Sequence, residues 1–260
     1  MSRFARNTAL LLAASLFLVG CTGKDPSDPP ASTAPSTSDA PAPLAATATA
    51  SDGGVAELGE KAFTVVDPAH NGGVDVAWAG EIANTSATDL LVYLNLQLTF
   101  TGKDGEEHVE PWEGFFDVLP GSATLKGRVV TLDFVPEALD VAVADQKWYP
   151  VADLAARGMS VGASVSTSKI EIADDEVTVE AAVDTAYTGV NSGTFQLLLV
   201  FRDAEGKLLG AAEAGDVSGL TAGSRTAEGS IPRRWWPDGA DPDESGAALV
   251  KTCCAWMDGS

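Results

Sequence analysis

The sequence predicts an all-β chain: two tandem β-sandwiches behind a disordered tether. Three observations predict it. Apolar and polar residues alternate over short runs, the pattern of a half-buried strand. Those runs recur at a fixed interval along the chain. A Pro-, Ser-, Thr- and Ala-rich segment ahead of them holds no aromatic residue between Cys21 and Phe63. The 260 residues accommodate two units of about 100 residues each, plus a tail.

Residues 1–20 read as an export signal. Arg3 and Arg6 precede an apolar run from Thr8 to Gly20. Such a run is too short to span a bilayer, which takes about 20 residues. Leu18-Val19-Gly20-Cys21 resembles the bacterial lipobox, in which the cysteine is acylated and the leader is cut just before it. Cys21 is therefore the expected lipid attachment site, carrying acyl chains such as palmitate. Two or more chains suffice for stable anchoring. No paired-Arg motif lies near the start, so export follows the general unfolded route.

Residues 21–59 form the expected tether. Six of the fourteen prolines fall between positions 21 and 43. This composition cannot bury enough apolar surface to offset its ordering entropy. As a coil it spans roughly 35 Å, and fully extended about 120 Å. It holds a folded head away from the membrane.

The first sandwich is expected over 60–157 and the second over 158–260. Leu94, Leu96, Leu98 and Phe100 alternate with Asn95, Gln97 and Thr99; 101 positions later stand Phe195, Leu197, Leu199 and Phe201. At the same offset, Val76, Trp78, Gly80 and Ile82 match Val177, Val179, Ala181 and Val183. Asp104-Gly105 and Glu205-Gly206 supply hairpin turns that favour positive φ. Further on, Gly121-Ser122 matches Gly223-Ser224 and Gly127 matches Gly229, an offset of 102 that one inserted loop residue explains. Helical periodicity is confined to one short turn over Val151–Arg157.

The run Gly80-Glu81-Ile82-Ala83-Asn84-Thr85-Ser86, the strand Tyr93 to Phe100, Asp104-Gly105 and Leu119-Pro120-Gly121-Ser122 resemble the FxLYD-type, immunoglobulin-like domains of bacterial surface lipoproteins. The resemblance covers about 60 residues of the first copy. In the second, Thr185 replaces Asn84 and Thr221-Ala222-Gly223 replaces the Pro-Gly turn. It implies two immunoglobulin-like sandwiches serving as an extracytoplasmic binding or spacer module, and supplies no catalytic residues. The Ala, Gly, Asp and Val richness is similar to that of actinobacterial proteins.

Charge narrows the partners. Lys and Arg number 16 against 37 Asp and Glu, a formal net charge of −21. Such a surface repels phosphate backbones, which argues against nucleic acid. It also repels anionic lipid, so membrane contact falls to the anchor.

Few residues carry the pattern of a chemical site. Gly158-Met159-Ser160-Val161-Gly162 fits a serine-hydrolase elbow, yet His70 and His108 both precede Ser160. A triad histidine would follow it, so the segment reads as a turn. Neither histidine sits in a cluster with metal-ligand spacing. Asp238, Asp241, Asp243 and Glu244 are weak Ca²⁺ candidates, since hard oxygen ligands suit that ion. Asp174-Asp175-Glu176 is an acidic turn, and Asn84-Thr85-Ser86 is read as a turn rather than a glycosylation site. Arg233-Arg234-Trp235-Trp236 is the candidate partner contact, because Arg and Trp dominate binding hot spots. Read as strand, it turns one Trp inward and the other outward. Cys253 and Cys254 leave a vicinal disulfide, two free thiols or an intermolecular bridge open.

These readings converge on a non-enzymatic, lipid-anchored protein outside the cytoplasm, held at the bacterial cell membrane. It binds or spaces components of the cell envelope through protein or envelope contacts. The alternative is a ligand-capture or transporter-accessory lipoprotein.

Overall fold

The computed structural model describes residues 46–189, 193–220 and 222–253. The leader, Cys21, most of the tether and Cys254 lie outside the described residues.

The described chain is almost entirely β. The first copy forms β1 (Ala56–His70), β2 (Gly73–Asn84), β3 (Asp89–Gly102), β4 (Glu107–Val118), β5 (Ala123–Leu132) and β6 (Pro136–Pro150). A short helix, α1 (Val151–Ala156), follows. The second copy forms β7 (Ala163–Ile172), β8 (Glu176–Thr185), β9 (Thr194–Arg202), β10 (Leu208–Ser218), β11 (Gly223–Pro232) and β12 (Gly246–Cys253).

The sheets express the sequence repeat as topology. The first copy makes sheets β1-β2-β5 and β4-β3-β6. The second makes β7-β8-β11 and β10-β9-β12, the same orders six strands on. Every pairing is antiparallel. The first core packs Trp78 and Ile82 of β2 against Leu94, Leu96, Leu98 and Phe100 of β3, with Trp148 of β6. The second packs Val177, Val179, Ala181 and Val183 of β8 against Phe195, Leu197, Leu199 and Phe201 of β9.

A third apolar layer joins the copies, and the described residues belong to one compact unit. Ala79 of β2 shares one apolar cluster with Leu198 and Val200 of β9, Leu208 and Ala211 of β10, and Ala248 and Val250 of β12. β2 is thus buried on both faces over Val74–Gly80. Small residues bring the sheets close. A Cβ added to Gly127 would lie 3.0 Å from the Ala211 Cβ, and one on Gly210 only 2.6 Å from the Ala77 carbonyl oxygen. At the repeat offset, Ala77 and Ala79 become Thr178 and Glu180, while Leu198 and Val200 become Gln97 and Thr99. Each copy therefore keeps only the docking face it uses.

The chain enters the fold ahead of position 60. Thr47 and Trp148 exchange backbone hydrogen bonds of 2.9 and 2.8 Å, and Ala50 is buried. The Ser51 N–H and hydroxyl donate to the buried Asp89 carboxylate at 2.5 and 2.8 Å. Asp52 accepts from the Ala87 N–H at 2.7 Å, the Gly54 N–H at 3.1 Å and the Ser86 hydroxyl at 2.9 Å. Those backbone donors, Ala87 first, hold its pKa below the ordinary value. Residues 46–59 look like tether by composition but dock through polar side chains, which apolar periodicity does not report.

Asn84 explains the turn motif of the first copy. Its amide donates to the carbonyls of Asp89 and Val118, both at 2.8 Å, and its oxygen accepts the Ser86 N–H at 2.9 Å. One buried side chain ties the β2–β3 turn to the end of β4. Its counterpart Thr185 makes an exposed 3.2 Å bond to the Gly223 carbonyl. Asn84→Ala is expected to cost about 2–4 kcal/mol in urea unfolding, because it strands buried groups at three positions. Thr185→Ala is expected to cost under about 1 kcal/mol, since water replaces its partner.

Candidate functional site

Arg233–Trp235 forms a 3-10 turn, not a strand. Pro232 and Pro237 bracket Arg233–Trp236; neither offers an N–H, so sheet pairing stops at Pro232. Trp236 is buried and packs edge-on against Phe201, ring centroids 5.6 Å apart. Trp235 is half-buried, and its indole N–H donates to Asp75 of β2 at 3.0 Å. The other Asp75 oxygen accepts the Thr131 hydroxyl at 2.7 Å. The tryptophan expected to face outward instead clasps one sandwich to the other.

The arginines remain closer to solvent. Arg234 is 48% exposed, lies 3.5 Å from the Asp67 carboxylate and stacks 5.6 Å from the Trp235 ring. The Arg233 guanidinium donates to the Trp236 carbonyl at 3.4 Å. With Thr64–Pro68 of β1 and Asp238, they line a groove of about 590 Å³.

The acidic candidates do not converge. Asp241 caps its own loop by accepting the Asp243 N–H at 2.8 Å. Among the described residues no group of three or more His, Cys, Asp or Glu side chains is placed to hold a metal ion. Asp238, Asp241, Asp243 and Glu244, weak Ca²⁺ candidates by their density along the sequence, form no such group. Ser160 bonds the Ala186 carbonyl and, at 2.7 Å, the Thr188 hydroxyl, so it fastens the connection into β7. His108 lies 3.3 Å from Glu110. Cys253 ends β12 opposite Thr194, and its expected partner Cys254 falls outside the described residues.

A cluster of buried charges lies elsewhere, where β4, β5 and β12 meet. Lys251 donates to Asp117 at 2.9 Å, with side chains only 2% and 4% exposed. The Tyr187 hydroxyl donates to the same carboxylate oxygen at 2.6 Å. Burial and the Asp117 charge push the Tyr187 pKa far up, so the phenol keeps its proton. Lys126 is 1% exposed. Its Nζ meets the Lys251 carbonyl at 3.4 Å and sits 3.9 Å from the Phe116 ring centroid and 5.1 Å from that of Trp112. Burial drives its pKa well below the ordinary lysine value, and the Asp117 charge opposes that shift. A cavity of about 190 Å³ opens beside these groups.

Sequence reading missed this cluster, although a signal exists. Lys126 shares its strand parity with Val130 and Leu132, which face the first core. A lysine at a core position of an otherwise legible strand marks a buried amine.

No protein-family model matches the chain, and neither does a curated protein sequence. Among solved structures, a red sea bream transglutaminase aligns at 13% identity and a TM-score of 0.21, over 78% of this chain and 31% of that one. The chain spans less than a third of that enzyme, and so distant a likeness carries no argument about chemistry.

Lys126→Met keeps the length and removes the amine. It is expected to stabilise the protein by about 1–3 kcal/mol at neutral pH, read by urea unfolding. Because the folded pKa is depressed, the unfolded chain binds more protons, and wild-type stability rises with pH up to the unfolded lysine value. The gain from Lys126→Met therefore shrinks as pH approaches about 10.5. Lys251→Met is expected to cost about 3–5 kcal/mol, because it leaves Asp117 buried without its cation.

Proposed function

We propose that this chain is a lipid-anchored binding and spacer protein of the bacterial cell envelope, non-catalytic and akin to the FxLYD-type surface lipoproteins. The observation that carries this reading is Leu18-Val19-Gly20-Cys21 at the end of a basic-then-apolar leader. Acylated Cys21 fixes the chain to the outer face of the membrane, and the Pro-rich tether extends from it. Binding falls to the face carrying Arg233 and Arg234, the one adjacent pair of basic residues in a chain of net charge −21. Two guanidiniums beside an open groove suit an acidic segment of an envelope protein, since Arg grips carboxylates with paired hydrogen bonds.

Fractionation of intact cells tests both parts. The wild-type chain is expected in the membrane fraction and Cys21→Ala in the soluble one; retention of Cys21→Ala at the membrane would sink the anchor. Cross-linking in the wild type is expected to trap one dominant protein. Charge reversal by Arg233→Glu with Arg234→Glu is expected to reduce its yield by about tenfold or more, since like charges then face each other. An unchanged yield would remove the arginine face from the contact.

A further inference from the structure

We propose that the cavity between the two sandwiches, beside Lys126, is a binding site for a small monocarboxylate with an apolar body. It would stand even if the anchor or the arginine contact failed, because it uses other residues.

The argument starts from charge. Lys126, Asp117 and Lys251 are all buried here. Asp117 is neutralised by Lys251 and receives the Tyr187 hydroxyl besides. A charged Lys126 would thus leave one positive charge in excess, while the neutral amine leaves donors to spare. Of its three N–H groups in the charged form, one meets a protein oxygen among the described residues, at 3.4 Å. That is a long contact for a hydrogen bond. The faces of Phe116 and Trp112 favour the ammonium form, but burial opposes it. An anion seated beside Nζ supplies the missing partner.

The walls decide the class of anion. Val118, Leu119, Ala163, Phe195 and Leu249 line the cavity with Phe116. Ser122 and Thr124 also line it, with the Asp117, Tyr187 and Lys251 groups already described. A volume of about 190 Å³ admits an acid of a few carbons or a single ring. Phosphate, doubly charged and polar on every side, would set its oxygens against apolar walls and bury a second charge without a cation. One carboxylate against one spare ammonium balances the site.

Calorimetric titration of the full-length, detergent-purified protein tests this, with sodium butyrate, sodium benzoate and inorganic phosphate as probes. Measurement at pH 9 in two buffers of different ionisation enthalpy reads proton uptake. At that pH an ordinary lysine is already charged and takes up nothing, so uptake on the order of one proton identifies a buried amine. Of the groups facing Lys126, Lys251 and Asp117 are paired with each other, and burial with the Asp117 charge keeps the Tyr187 phenol protonated. Butyrate or benzoate is expected to bind saturably with proton uptake. Lys126→Met, which is expected to fold at least as well as wild type, should weaken binding by about tenfold or more. Ala163→Leu, which narrows the cavity and leaves the amine, should weaken it comparably. The proposal is overturned by no saturable binding of either carboxylate, by unchanged affinity in Lys126→Met, or by phosphate binding more tightly than both.

Discussion

The close approach of β1-β2-β5 to β10-β9-β12 is the constraint on which the rest of the molecule depends. Two sheets pack about 10 Å apart when ordinary side chains interdigitate between them. Here one side offers Ala77, Ala79 and Gly127, and the other offers Gly210 and Ala211 among larger residues. The seam buries Leu198, Val200, Leu208 and Val250, each contributing about 1.5–3 kcal/mol when fully covered. A larger side chain at Gly127 or Gly210 would have to push backbone aside rather than rotate a flexible neighbour. What lies at the margins of the seam is buried because the seam is tight.

Those margins carry polar groups, and their energetics differ from those of the seam. Buried ion pairs lose in desolvation much of what they gain from attraction, so they are weak evidence of stability. Their contribution here is position. Alanine, leucine and valine faces resist sliding little. The Asp75–Trp235 bond and the Lys126–Lys251–Asp117 cluster pin the two sandwiches at two points. On β2 these correspond to Asp75 and to Gly80, the partner of Lys126, roughly 17 Å apart along the strand. A third contact, from the Leu208 N–H to Glu60 at 3.0 Å, ties β10 to β1. Two separated attachments suffice to fix both translation and rotation of one sandwich against the other.

The repeat made much of this architecture readable, because a sandwich strand with one face in water must alternate. Leu94 to Phe100 and Phe195 to Phe201 both face a core, as the alternation predicts. The polar half of the pattern was less transparent. The run Leu197-Leu198-Leu199-Val200 breaks strict alternation, and the structure gives the reason: β9 is covered on its second face. Arg233–Trp236 misleads in the other direction, because two prolines change the backbone and aim Trp235 at another domain's carboxylate. Lys126 was legible only as an anomaly, a charge at core parity. Its neighbours Asp117, Lys251 and Tyr187 come from three separate stretches of chain, and no spacing rule links them. Composition likewise could not distinguish residues 46–59 from the tether, since their docking rests on hydrogen bonds.

The way the copies dock also explains why their outer faces differ. The first copy presents its β1-β2-β5 sheet, whereas the second presents β10-β9-β12, the counterpart of the first copy's β4-β3-β6. Unlike faces meet, so the contact is head-to-tail. A head-to-tail contact does not close on itself, and identical units would continue to add. The divergence between the copies prevents this. The β3 face that would receive another unit carries Gln97 and Thr99 where β9 carries Leu198 and Val200. The β8 face that would dock onto another carries Thr178 and Glu180 where β2 carries Ala77 and Ala79. Burying Glu180 against Gln97 would desolvate a carboxylate and an amide, and Lys169, which stands across from Glu180 on β7, is already paired with Glu171. Polar outer faces disfavour adding another identical unit, as those of capping repeats do in a solenoid. The substitutions that distinguish one copy from the other therefore sit where the assembly had to be open on one side and closed on the other.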